Sequence, residues 1–191
     1  PIKLIEIGES GWEHLEYSFP GKDIRVVSLQ LKSLTPQLGD YQALIREFEA
    51  ELEATVKEDS GILTLGIDSA SQLWKAVRVV KVEEQEQRAR ADGRKTTKKM
   101  LTDYELANIY FEQIVHKART KKDLNLVLIH RDRELWTKDD EGGLRPTGEF
   151  EPREFKDVSF LVQVVIHSGK AWEVTMPVDY GFWANSKGID K

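Results

Sequence analysis

The chain has 191 residues, a net charge of −5, 32% charged and 40% hydrophobic residues, proportions that suit one globular domain with a sizeable core. With no cysteine it has neither a disulfide framework nor a thiolate metal site, which fits a reducing compartment. No apolar run approaches the ~18 residues of a membrane helix and no signal-peptide pattern is seen, so no membrane partner is expected. The mildly acidic total gives no global pull toward nucleic acid, although a local basic patch still acts through its own field.

Residues 2–7 read as a strand entered directly from Pro1, which points either to a lost initiator Met or to a missing N-terminal piece. Gly8-Glu9-Ser10-Gly11 is a turn cluster, 12–19 is ambiguous, and 24–29 reads as a second strand. Over 41–57 the residues Leu44, Ile45, Phe48, Leu52 and Val56 share one face, predicting an amphipathic helix with Asp40 as its N-cap. The glutamates on its other faces read as a solvated surface. Residues 62–68 form a short apolar run ending in Asp68-Ser69, predicted to be a strand buried on both faces, and a helical pattern follows over 70–81. Arg88, Arg90, Arg94, Lys95, Lys98 and Lys99 then fall in a stretch, 83–102, that reads as an exposed basic loop.

Another helix is predicted over 103–121, with Leu106, Ala107, Tyr110, Ile114 and Ala118 on one arc. Residues 124–129 read as a strand ending in His130-Arg131. The Gly-rich stretch 137–155 reads as a loop, 160–166 as a strand, and 172–178 as its hairpin partner within C-terminal strands spanning 160–178; the tail from 179 reads as mostly irregular. Strands alternate with helices up to residue 130, which predicts an α/β fold with a mostly parallel sheet flanked by helices and an antiparallel hairpin at the C-terminus, in one domain over 1–191.

Asp68 is the most telling residue. A carboxylate at the carboxyl end of a buried parallel strand stands where open α/β sheets bind ligands. Its plainer reading is a cap for the helix that follows. The histidines show no metal-ligand spacing such as H-E-x-x-H, no G-x-S-x-G occurs, and Trp74 at helical spacing from Ser69 reads as core.

In its order of parts the chain resembles the RecA-like branch of P-loop ATPases. Ile67-Asp68-Ser69 is similar to the recombinase Walker B strand, Ile7-Gly8-Glu9 to the segment carrying the catalytic glutamate, and Leu126 to Arg131 to the strand whose polar tip senses the γ-phosphate. The basic segment 88–99 and the Gly-rich segment 139–155 occupy the places of the two DNA-binding loops. Leu73-Trp74 and Thr147-Gly148 look most like phage single-strand-annealing or AAA-type ATPases. The G-x-x-x-x-G-K-S/T phosphate loop is absent; Pro20-Gly21-Lys22-Asp23 does not replace it, and His130 stands where recombinases carry Gln. The resemblance therefore implies a RecA-like sheet without its first strand and P-loop, that is, an N-terminally truncated ATPase core.

Carried onto these residues, the resemblance implies ATP and Mg²⁺ as cofactors. Asp68 would hold the metal with support from Ser69, Glu9 would activate water with Glu6 as the competing acid, and His130 and Arg131 would sense the γ-phosphate. Lys156 or Arg153 would act as a finger toward a neighbouring subunit in a ring or filament. Arg88, Arg90, Arg94, Lys95, Lys98 and Lys99 would meet single-stranded DNA, with stacking from Trp136 and Phe150. The setting implied is phage recombination, replication or repair in the cytoplasm of a bacterial host. The alternative is a non-catalytic ATPase-like module that binds DNA or a partner.

Overall fold

Four parallel strands, β1 (Ile2–Ile7), β2 (Ile24–Leu29), β3 (Thr64–Asp68) and β4 (Asn125–Ile129), pair in the order β2-β1-β3-β4. The computed structural model describes residues 1–8, 11–12, 14–93, 102–138, 142–152, 164–166 and 182–184. The chain divides into two compact units, Pro1–Glu154 and Phe155–Lys191. The sheet belongs to the first. Its two central strands, β1 and β3, are buried along nearly their whole length, which is why their sequences are continuous apolar runs rather than alternating ones. Gly66 leaves room for the Leu4 side chain across the ladder: a Cβ there would stand 2.8 Å from Leu4 Cδ1.

Handedness sorts the connections. The steps from β2 to β3 and from β3 to β4 run in one direction across the sheet, and the step from β1 to β2 runs in the other. Right-handed crossovers then place α2 (Leu38–Val56), α3 (Ala70–Ala91) and α4 (Thr102–Thr120) on one face and the β1–β2 connection, with its short helix α1 (Leu15–Ser18), on the opposite face. The packing of α2 on α3 and of α3 on α4 agrees, as does the reach of Lys3 Nζ to Glu51 Oε2 of α2 at 2.5 Å. Between sheet and helices lie Ile5, Ile7, Leu65 and Ile67 from the strands and Phe48, Leu73, Trp74, Val77 and Phe111 from the helices, all buried. Each such side chain contributes roughly 2–3 kcal/mol by leaving water.

Several elements differ from the sequence expectation. Helix α2 begins before its expected cap: Asp40 sits in the first turn and its Oδ2 accepts from the Gln37 N–H at 2.8 Å. Asp40 thus acts from inside the helix, closing a capping box rather than standing outside as the cap. Strand β3 starts at Thr64, because the Leu63 and Thr64 N–H groups turn to the Pro1 carbonyl. Helix α3 runs on to Ala91, so Arg88 and Arg90, expected in a basic loop, lie in its last turn. The segment after Lys81 is composed mostly of Glu, Gln, Arg and Ala, all strong helix formers, and Arg90 pairs with Glu86 at 2.8 Å one turn away. On α4 the apolar arc is centred on Ala107, Phe111, Ile114, Val115 and Ala118. Tyr110 lies at its rim, its OH donating to Glu49 Oε1 at 3.0 Å. Burial, reinforced by the Glu49 charge, pushes the Tyr110 hydroxyl well above its ordinary range.

The Gly-rich stretch read as a loop is largely a hairpin. β5 (Asp132–Lys138) pairs antiparallel with β6 (Leu144–Pro152), with an irregularity between Glu134 and Trp136. The glycines misled because they punctuate turns: Gly142 and Gly148 both have positive φ. In the second unit, β7 (Val164–Ile166) pairs antiparallel with β8 (Phe182–Ala184). An antiparallel C-terminal hairpin is therefore present, but the described partner of β7 is 182–184, in the tail expected to be irregular; the expected partner, 172–178, lies outside the described residues.

Candidate active site

The carboxyl ends of β1 and β3 bring two acids side by side. Glu6 and Asp68 are register partners on neighbouring parallel strands, about 4.8 Å apart along the hydrogen-bonding direction. Lys3 points toward α2, so by alternation Leu4 and Glu6 point to the other face, where Leu4 meets Gly66 and Glu6 meets Asp68. Glu6 is 2% exposed, and its Oε2 accepts no hydrogen bond among the described residues. A buried carboxylate oxygen left open is costly unless something else uses it. Asp68 is half-buried, and its Oδ2 accepts from Trp12 Nε1 at 2.6 Å. Trp12 belongs to the β1–β2 connection and stacks on His14, with ring centroids 6.3 Å apart.

Asp68 does not cap the helix beside it. That task falls to Ser69, whose Oγ accepts from the Gln72 N–H at 3.2 Å. The Asp68–Ser69 peptide is cis. Gly8, just past Glu6, has φ +78° and lies against Gln72, where a Cβ would sit 3.6 Å from its Cγ. The ends of β1 and β3 thus converge on the start of α3, and the carboxylate of Asp68 remains available for other partners.

One strand further on, β4 ends beside Asp68 and delivers His130 and Arg131 to the same end of the sheet. The buried Ser71 of α3 ties them down: its Oγ accepts from the Arg131 N–H at 3.1 Å and lies 3.3 Å from His130 Nδ1. The His130 ring leans on Phe111, centroids 6.3 Å apart. The Arg131 side chain is exposed.

Glu6, Asp68, Ser69, His130 and Arg131 therefore share one end of the sheet. Glu9, Arg94, Lys95, Lys98, Lys99, Arg153 and Lys156 lie outside the described residues. Arg88 and Arg90 are on α3, and Arg90 is engaged by Glu83 and Glu86. Trp74 is core as expected, its Nε1 donating to Asn108 Oδ1 at 2.9 Å. Trp136 is 58% exposed on β5. Two residues of the site escape sequence reasoning. Trp12 falls in the ambiguous segment 12–19, with no periodicity to aim it. Ser71 lies two positions after Ser69 and has no motif to mark it.

The donor set is sparse. No group of three or more His, Cys, Asp and Glu residues suited to a metal occurs among the described residues. Two adjacent carboxylates with one open buried oxygen suit a hard cation such as Mg²⁺, which is usually held by one or two carboxylates and fills its remaining positions with water and phosphate oxygens. An open depression of about 940 Å³ lies elsewhere, lined by Tyr41, Lys75, Arg78, Val82 and Glu86; neither acid of the carboxylate pair lines it. Among the described residues no helix is long and apolar enough to cross a membrane. Compared with known proteins, the chain matches no family model, and no curated protein matches it.

Proposed function

We propose that this chain is the core of a RecA-like ATPase that works on DNA in phage recombination, replication or repair. The observation that carries the reading is the Glu6–Asp68 pair: register partners at the carboxyl ends of the two central parallel strands, one of them buried with an open oxygen. Ligands of open α/β sheets bind outside that end. Bound there, Mg²⁺ would neutralise phosphate charge as a terminal phosphoryl group is transferred. Asp68 and Glu6 would hold the cation, and Glu9, close by in the chain, would supply the acid that orients water. His130 and Arg131, at the tip of the next strand, contribute donors to a transferred anion. On this reading the phosphate cradle comes from polypeptide beyond these residues, since no G-x-x-x-x-G-K-S/T occurs within them. Among the described residues β4 ends the sheet, and its free edge is a natural place for it. Assembly into a ring or filament belongs to the same proposal and rests on resemblance.

Single-stranded DNA is the proposed partner. The basic stretch 94–99 retains that role, and the β5–β6 hairpin adds an exposed stacking surface in Trp136 with the cations Lys138 and Arg145 nearby. The second reading, a binding module without turnover, shares the fold but makes no use of the open oxygen on Glu6.

Cation binding tests the reading. Mn²⁺ binding by the chain, followed by calorimetry or electron paramagnetic resonance, is expected in the wild type and lost in Asp68→Asn and Glu6→Gln. A wild-type chain that binds no divalent cation overturns it. The chain alone is expected not to turn over ATP; turnover abolished by Asp68→Ala would show that no further phosphate loop is needed. For DNA, Trp136→Ala is expected to weaken binding with little change in salt slope, whereas neutralising Lys138 and Arg145 should flatten the slope by about 0.7 for each phosphate that then keeps its counterion.

A further inference from the structure

We propose that Trp12 is a positioning residue for Asp68: its indole N–H anchors one carboxylate oxygen so that the other is held ready for a cation shared with Glu6. The proposal rests on the reading of Glu6 and Asp68 as a cation-binding pair.

The hydrogen bond spans 56 positions of sequence and is short, 2.6 Å from Trp12 Nε1 to Asp68 Oδ2, as charge-assisted hydrogen bonds are. An indole N–H donates only; it neither ligates a metal nor loses its proton at neutral pH. It therefore engages one oxygen and restrains how the carboxylate is turned. That restraint decides where the free oxygen stands relative to Glu6 on the adjacent strand. Carboxylates that bind metals are themselves commonly hydrogen-bonded by such outer partners, whose removal costs about 10- to 100-fold in affinity.

Core filling does not explain this tryptophan. It is 37% exposed, whereas Trp74 is fully buried in the helical layer. What Trp12 has in place of burial is a brace on each side. His14 stacks on its ring at an interplanar angle of 24°, and Asp68 holds its N–H. It arrives there from the β1–β2 connection, the segment that crosses the same sheet face as the carboxylates.

The test uses the 191-residue chain and Mn²⁺ as probe, with ¹⁵N-edited NMR of the five tryptophan indoles. Trp12→Phe keeps an aromatic ring and removes the N–H. It is expected to weaken Mn²⁺ binding about tenfold or more while the circular dichroism spectrum stays that of the wild type. The Trp12 indole resonance is identified by its absence in Trp12→Phe. It is expected to lie downfield in the metal-free wild type, to move upfield in Asp68→Asn, and to shift during a Mg²⁺ titration with the midpoint of Mg²⁺ binding followed by calorimetry. Equal Mn²⁺ affinity in wild type and Trp12→Phe overturns the role of Trp12 while leaving the carboxylate pair standing. Should Trp12→Phe not fold, Asp68→Asn identifies the resonance, and a set of indoles indifferent to that change overturns the proposal just as firmly. A wild-type chain that holds no Mn²⁺ removes the carboxylate-pair reading itself, and with it the task assigned to Trp12.

Discussion

The two faces of the parallel sheet are built on opposite terms. Toward the helices, Ile5, Ile7, Leu65 and Ile67 are at most 1% exposed, and the charge on that side, Lys3, is answered by Glu51. On the other face Ile2, Val127 and Ile129 are 39–46% exposed, and the buried charge, Glu6, keeps an oxygen open. Lys3 and Glu6 sit on the same strand, three residues apart, and differ only in whether burial comes with a partner. The covered face holds the fold together. The other face carries groups whose needs the fold leaves unmet, and such unmet needs are what a ligand supplies.

That contrast can be broken in several ways. The largest effect is expected from Ile67→Ala, a fully buried side chain on the covered face, which should lose about 3–4 kcal/mol of stability in urea titration. Val127→Ala on the opposite face should lose less than about 1 kcal/mol; equal losses would dissolve the distinction. Next comes Glu51→Ala, which leaves the ammonium of Lys3 only the main-chain carbonyl of residue 51, 3.3 Å away. A fully buried pair broken this way loses about 3–5 kcal/mol, but Glu51 is 35% exposed, so about 1–2 kcal/mol is expected. The double change Lys3→Met with Glu51→Leu should recover most of it. Glu6→Gln is the mirror case. With no partner to strand, it should leave stability unchanged or raise it by up to about 1 kcal/mol while cation binding disappears. A clear loss of stability in Glu6→Gln would mean that Glu6 is a structural residue like Lys3.

The smallest effect concerns the helical layer at high pH. The Tyr110 hydroxyl is pushed up by burial and by the Glu49 charge, so the folded state favours its protonated form. Its contribution to stability is whole below about pH 10, where an unfolded tyrosine is still protonated, and falls as pH rises further. Absorbance at 295 nm should show one tyrosine ionising only as the chain unfolds, and Tyr110→Phe should reduce the alkaline slope of stability.

Much of the first unit is legible in the sequence because its signals are local. Strands β1 and β2 match their expected bounds, since each is an apolar run closed by turn residues. The helices show through their periodicity, and Trp74 through its spacing. Boundaries fail where two local signals compete. Asp40 looks like a cap because carboxylates favour helix starts, but a carboxylate at the third helical position reaches back to the N–H of the cap residue itself, here Gln37. Arg88 and Arg90 look like loop residues by charge, but glutamates one turn earlier make this stretch helix-compatible. At the site, Asp68 is legible from its strand, and Glu6 competes with Glu9 on sequence alone. What sequence lacks is register: only the pairing of β1 with β3 shows that Glu6 stands beside Asp68. Trp12 and Ser71 reach the site through hydrogen bonds across 56 and 60 positions, and no periodicity encodes such reach.

Helix α3 ties the strand ends of the site together at its root. Its root is capped by Ser69, next to Asp68, and its 22 residues span about 33 Å. Over its first half Leu73, Trp74, Val77 and Val80 are buried, so this part of the rod is held against its neighbours. Because Ser71 in the first turn also grips the tip of β4, one helix root joins the ends of two neighbouring strands, β3 and β4.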